Sequence, residues 1–147
     1  MAEPLISVII CTHNRDSYLG LAIASALGQD FGGFEVIVVD NASTDSTRTV
    51  VESFDDSRLI YLYEPVLGLS VARNRGATEA QGEILLYLDD DAKAGSGWLA
   101  SIHQAFADPQ VAIAGGQSTL IWPKDQPPPP WLSTNLTGSL GRYDLGS

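Results

Sequence analysis

Three consecutive carboxylates, Asp89-Asp90-Asp91, follow directly on the apolar run Ile84-Leu85-Leu86-Tyr87-Leu88. An apolar run of this kind belongs in a core, so its end places the acids at the core's rim. Two like charges ~4 Å apart repel by roughly 4 kcal/mol at an effective dielectric near 20, which makes the cluster costly unless a cation or protons relieve it. All-oxygen donors suit Mg²⁺ or Mn²⁺, ions that share their coordination with substrate phosphates. A solvated acidic turn is the alternative.

Other residues carry weaker signals. Asp40, after Val36-Ile37-Val38-Val39, could accept hydrogen bonds from a ribose or a base edge, or close an Asx turn within Asp40-Asn41-Ala42-Ser43. Arg73 and Arg75 bracket Asn74 at the start of a helical segment; arginine offers planar donors and a stacking face for a phosphate or a base, though a surface pair is the plainer reading. Arg15 is similar and weaker. His13 and His103 form no metal-ligand or triad pattern and read as structural. Cys11, inside an apolar run, reads as buried and inert. Trp122 and Trp131, flanking Pro127–Pro130, could stack on a sugar ring or cover a core edge.

Positioning these residues requires a particular scaffold. Leu5–Cys11, Phe34–Val39, Arg58–Tyr63, Ile84–Leu88 and Val111–Ala114 read as strands, being short, apolar and rich in β-branched residues. Between them, helical spacing predicts helices over Ser17–Gln29, after the cap candidates Thr44-Asp45-Ser46, over Ser70–Gln81 with Val71, Ala77 and Ala80 inward, and around Trp98–Phe106. Such alternation predicts an α/β fold: a parallel sheet with helices on both faces. Ligands of such sheets bind beyond the carboxyl ends of the strands, which selects Thr12 to Arg15, Asp40 to Asn41, and Asp89 to Asp91. The pattern fades near Gly116, and the Pro-, Gly-, Ser- and Trp-rich stretch from 118 to 147 reads as a loop beside a core of residues 1–117.

Composition excludes several classes of function. With 8 Lys and Arg against 18 Asp and Glu, the net charge is −10, so binding of nucleic acid through a broad basic face is ruled out. A phosphate ligand must instead meet local arginines or a bound cation. The single cysteine excludes a disulfide framework and a Cys-rich zinc site. No run is long enough for a transmembrane segment and no signal peptide is visible, so the expected location is cytoplasmic, at most peripheral to a membrane. Cys11-Thr12-His13-Asn14-Arg15 lacks the glycines of a dinucleotide fold, and no P-loop run is present. A phosphoaspartyl enzyme would be expected to carry its acid where Thr12-His13 stands.

Taken together, Ser7–Arg15, Val36–Asp45, Gly68–Gly76 and Leu88–Asp91 resemble the inverting family 2 glycosyltransferases, in order and spacing, over roughly residues 5–117. The resemblance implies a GT-A (Rossmann-like) fold and transfer of a sugar from a nucleotide-diphospho-sugar, typically a UDP-sugar, to a glycan or lipid-linked acceptor hydroxyl. By the same resemblance Thr12 and Asp40 would contact the nucleoside and Arg73 the base or phosphate, with Asn14, Arg15, Asn41 and Asp90 beside them. Asp91 and Asp89 would match the D-x-D acids that hold Mn²⁺ or Mg²⁺ and the ribose or sugar. The family continues into an acceptor-binding half carrying a general base. After Gly116 this chain offers only Asp125 and Asp144, in no motif resembling that region. The expectation is therefore a donor-binding portion, apparently truncated after its fifth strand, with transfer by this chain alone not expected. The alternative is a non-catalytic nucleotide-sugar-binding domain or an inactive truncated transferase.

Overall fold

Ile6–Thr12 (β1) and Phe34–Asp40 (β2) are runs of mostly β-branched residues, buried at nearly every position. Strands that lose both faces to the interior are central strands of a parallel sheet. The computed structural model, which describes residues 4–122 and 127–132, places them so. Leu59–Tyr63 (β3) and Ile84–Tyr87 (β4) flank them in the order β3-β2-β1-β4, and every pairing is parallel. The register sets Thr12 beside Asp40 and Ile9 beside both Ile37 and Tyr87. All of this lies in the first of two compact units, Met1–Ala107 and Asp108–Ser147.

Asp16–Leu27 (α1), Thr47–Glu52 (α2), Leu69–Glu79 (α3) and Trp98–Ala105 (α4) are the helices. Helix α3 packs through Ala72 on Ile9, Ile37 and Val39, with Ala77 and Ala80 partly buried against the same cluster. Alternation along β1 then turns Val8 and Ile10 to the opposite face. Val71, expected to point inward, is 36% exposed; the buried positions of α3 are Ala72 and Gly76. Small residues win that face because the helix lies close to the sheet: a Cβ on Gly76 would stand 2.5 Å from Ile9 Cγ2.

Helix α2 follows its cap candidates as expected, with Ser46 at the N-cap position. It starts at Thr47, because Asp45 Oδ1 accepts from both the backbone N–H and the hydroxyl of Thr47 (3.0 and 2.6 Å) and ties that stretch into a turn. One further expectation is corrected: Val111–Ala114 is not a fifth strand, and Ile113 is 91% exposed. An apolar run supplies side chains for a strand, but the strand exists only where another offers it a hydrogen-bonding ladder. Asp125 and Asp144 lie outside the described residues, and Trp131 is 74% exposed.

At the amino ends of the strands, a buried polar knot ties the turn between α3 and β4 to β1 and β2. Glu35 Oε1 accepts from Ser7 Oγ (2.6 Å) and from the Gln81 N–H (2.7 Å), and the Gly82 N–H donates to Ser7 Oγ (2.8 Å). Each polar atom in the knot satisfies another, as burial demands. The knot leaves the opposite, carboxyl ends of the strands free to build a site.

Candidate functional site

The chain moves outward from β1 through β2 to β3 and then returns to the far side of β1 as β4. Where strand order reverses, the loops beyond the carboxyl ends diverge and leave a crevice. A cavity of about 550 Å³ lies there, within the usual range for small-molecule sites. Thr12 lines it from the end of β1, His13 and Arg15 from the loop that follows, Asn41 from just past β2, and Asp89, Asp90 and Asp91 from beyond β4.

The acids do not stand alone. Arg15 Nη1 donates to Asp91 Oδ2 at 2.9 Å, and Arg73 Nη2 lies 3.6 Å from Asp89 Oδ1. Asp90, between them, is half-buried. Burial pushes its carboxyl above the usual range and its two acidic neighbours push the same way, while the Thr12 hydroxyl and Arg15 pull it back. Thr12 Oγ1 is itself buried, beside the Asp90 carboxyl.

Among the described residues, no group of three or more His, Cys, Asp or Glu side chains converges as a cage for a metal. Mg²⁺ or Mn²⁺ held jointly with substrate phosphates needs only one or two protein carboxylates, plus water. Exposed, adjacent, hard oxygen donors on the cavity wall fit that manner of binding.

Three predicted residues stand outside the cavity lining: Arg73, which reaches it only through Asp89, and Asp40 and Asn14. Asp40 is 2% exposed, and its carboxylate accepts from Tyr61 Oη (2.7 Å) and from the Ser43 N–H (2.9 Å). It thus makes the turn that was the alternative reading. Burial first and Asp40 second push the Tyr61 hydroxyl above its ordinary pKa. Asn14, with φ at +52°, accepts from the Thr44 N–H (2.8 Å) through Oδ1 and donates through Nδ2 to His13 Nε2 (3.1 Å). His13 Nδ1–H in turn donates to the Asn41 carbonyl at 2.6 Å.

Asn41 organises the next loop. Its Nδ2 donates to the carbonyls of Glu64 (3.1 Å) and Val66 (2.7 Å), and its Oδ1 accepts from the Gly68 N–H at 2.7 Å. These bonds hold Leu67, Gly68 and Leu69 as an apolar wall of the cavity. Sequence reasoning missed that wall. A signal existed: Leu67 and Leu69 flank a glycine just before a helix and fit no core periodicity. Gly68 has φ +150°, a conformation closed to most side chains.

Cys11 also reaches the lining, and burial lifts its thiol to about 11. A thiol that stays protonated is a poor nucleophile. Alkylation by iodoacetamide near neutral pH should run roughly 100-fold slower than for free cysteine and rise about tenfold per pH unit towards pH 11. Mass-spectrometric labelling rates across that range check it, and a rate already level at pH 8 would contradict it.

The family model for Glycosyl transferase family 2 matches residues 7–133. The chain is 40% identical over 114 residues to validoxylamine A glucosyltransferase of Streptomyces hygroscopicus subsp. limoneus, covering 74% of this chain and 25% of that protein. It is 39% identical over 105 residues to the GalNAc(5)-diNAcBac-PP-undecaprenol beta-1,3-glucosyltransferase of Campylobacter jejuni, covering 69% and 34%. Among solved structures, S. aureus TarS 1–349 in complex with UDP-GlcNAc superposes with a TM-score of 0.64 at 30% identity, over 70% of this chain and 31% of that one. The mannosyltransferase PcManGT from Pyrobaculum calidifontis, in complex with GDP-Man and Mn²⁺, gives 0.68 at 32%, over 76% and 34%. This chain thus spans a quarter to a third of the length of these relatives. The matched residues 7–133 take in the cavity-forming loops, the fold is the GT-A arrangement of these neighbours, and the chain belongs to glycosyl transferase family 2.

Proposed function

We propose that this chain holds the nucleoside diphosphate of a nucleotide-sugar and forms the donor half of an inverting, metal-dependent glycosyltransferase. One observation carries the proposal: Asp89, Asp90 and Asp91 share a cavity wall with Arg15 at the point where strand order reverses. Related structures were solved with UDP-GlcNAc, with UDP, and with GDP-Man plus Mn²⁺, which supports a nucleotide donor and leaves the base open.

In this mechanism Thr12 and Asn41 bind the nucleoside end, and Leu67 and Leu69 pack against its apolar surface. Asp40 and Asn14 act at one remove, by shaping the loops. Asp89 and Asp91 would hold a Mn²⁺ or Mg²⁺, which when bound neutralises the nucleoside diphosphate as it leaves. Arg15 and Arg73 supply planar positive charge to the same phosphates. The sugar's anomeric carbon is then presented to an acceptor hydroxyl of a glycan or lipid-linked glycan. The base that deprotonates this hydroxyl belongs to an acceptor-binding half beyond the described residues. A cytoplasmic site of action fits a nucleotide donor; among the described residues, no helix is long and apolar enough to cross a membrane.

Calorimetry tests the proposal directly. UDP or GDP should bind with Mn²⁺ present and at least ~10-fold more weakly after chelation, since charged phosphates facing three acids need the cation. Equal affinity with and without Mn²⁺ would sink the metal role, and no binding of either nucleotide would sink the donor role.

A further inference from the structure

We infer that Arg15 and Arg73 are resident counter-ions of Asp91 and Asp89, and that they pass to the diphosphate when a divalent cation takes the carboxylates. The inference rests on the donor-site proposal and adds an order of events to it.

The two arginines come from different elements, Arg15 at the start of α1 and Arg73 within α3, and each pairs with a different outer acid. Each guanidinium also lies over an aromatic ring: Arg15 Cζ is 5.9 Å from the Tyr18 ring centroid, and Arg73 Cζ is 5.8 Å from that of Tyr87. Such cation–π contacts do not depend on the carboxylates. When an acid is taken by a metal ion, the ring keeps the guanidinium beside it with its charge no longer paired, Arg15 on the cavity lining and Arg73 next to the lining residue Asp89. A diphosphate entering there finds that charge already in place, in the planar form that phosphate oxygens accept.

Magnitudes favour exchange over a permanent bridge. The partners are all between 43% and 74% exposed, and ion pairs at such sites are weak. A weak pair is easily surrendered. The cation alone must still displace the arginines, and the nucleotide alone must strip them from the acids. Arriving together, each ligand takes what the other releases, so the two bind cooperatively, and the coupling must be reciprocal.

Mn²⁺ titrations followed by the EPR signal of the free ion, with and without UDP, test this in the wild-type chain and in Arg15→Gln, Arg73→Gln and Arg48→Gln. Arg48 is the control: it pairs with Glu52 at 2.7 Å and lies 5.7 Å over the Tyr61 ring, outside the cavity lining. Arg15→Gln should bind Mn²⁺ alone about fivefold more tightly, the upper range for loss of an exposed pair, and Arg73→Gln by a smaller factor. In both, the gain in Mn²⁺ affinity produced by UDP should shrink, while Arg48→Gln leaves both quantities unchanged. Unchanged or weakened Mn²⁺ binding in Arg15→Gln overturns the exchange, as does equal tightening in Arg48→Gln, which would reduce it to net charge. If UDP and Mn²⁺ bind together in the wild type but indifferently to Arg15, only the exchange fails. If UDP recruits no Mn²⁺ to any of these proteins, the donor-site proposal falls with it.

Discussion

Gly82→Ala should lower stability by about 3 kcal/mol or more, beyond the usual overpacking cost, because the new methyl meets backbone rather than a yielding side chain. Its Cβ would stand 2.6 Å from both Ile6 C and Ser7 N. Those atoms begin β1, which is paired on both sides, to Phe34 in β2 and to Ile84 in β4. Moving β1 away would distort two ladders, and moving Gly82 would break its bond to Ser7 Oγ and pull on the neighbouring Gln81 N–H that donates to Glu35. Urea unfolding measures the cost. Gly95→Ala, with nothing within 4 Å of its Cβ, should shift the midpoint little and serves as the reference. Equal midpoints for the two variants would mean that the close packing at Gly82 is not structurally required.

The second large effect concerns the acids. Asp91→Asn and Asp89→Asn each keep the shape of the side chain and remove the charge. In the presence of Mn²⁺, each should weaken UDP binding by roughly 100-fold, reflecting the several kcal/mol that a bound cation contributes at a phosphate site. Without Mn²⁺ the same variants should bind UDP no worse than the wild type, since each removes a repulsion as well as a ligand. Asp40→Asn is the informative contrast. Its carboxylate is committed to Tyr61 and Ser43, so a properly folded variant should lose far less affinity. Calorimetry of the three side by side decides the matter; an Asp40→Asn loss as large as that of Asp91→Asn would place Asp40 on the nucleotide after all.

Much of the scaffold was legible because its signals are local. The continuous apolar runs of β1 and β2 announce central parallel strands, and strand–helix alternation announces the topology. The acids after β4 were legible for the same reason, since strand ends in such a sheet are where ligands sit. The false strand at Val111–Ala114 shows the limit: four apolar residues do not reveal whether another strand pairs with them. Asp40 shows a second limit. Its sequence context fits a ribose contact and an Asx turn equally well; the bond from the Ser43 N–H shows the turn, and the one from Tyr61, reached through the β2–β3 pairing, is encoded in no local pattern. The apolar wall of Leu67 and Leu69 went unseen because it depends on Asn41, whose bonds to Glu64, Val66 and Gly68 no periodicity encodes.

The β1–β4 pairing has a temporal meaning. On leaving the ribosome, β1 meets β2 after a single helix, but β4 reaches β1 only after one further strand and two more helices have been made. Long-range parallel pairings of this kind form late, because the entropy of closing the intervening chain is lost before contacts repay it. The acids ride on the end of that last strand. The acidic wall of the cavity is therefore completed only when β4 pairs, and a fluctuation that lifts β4 removes it while the β1–β2 core stays folded.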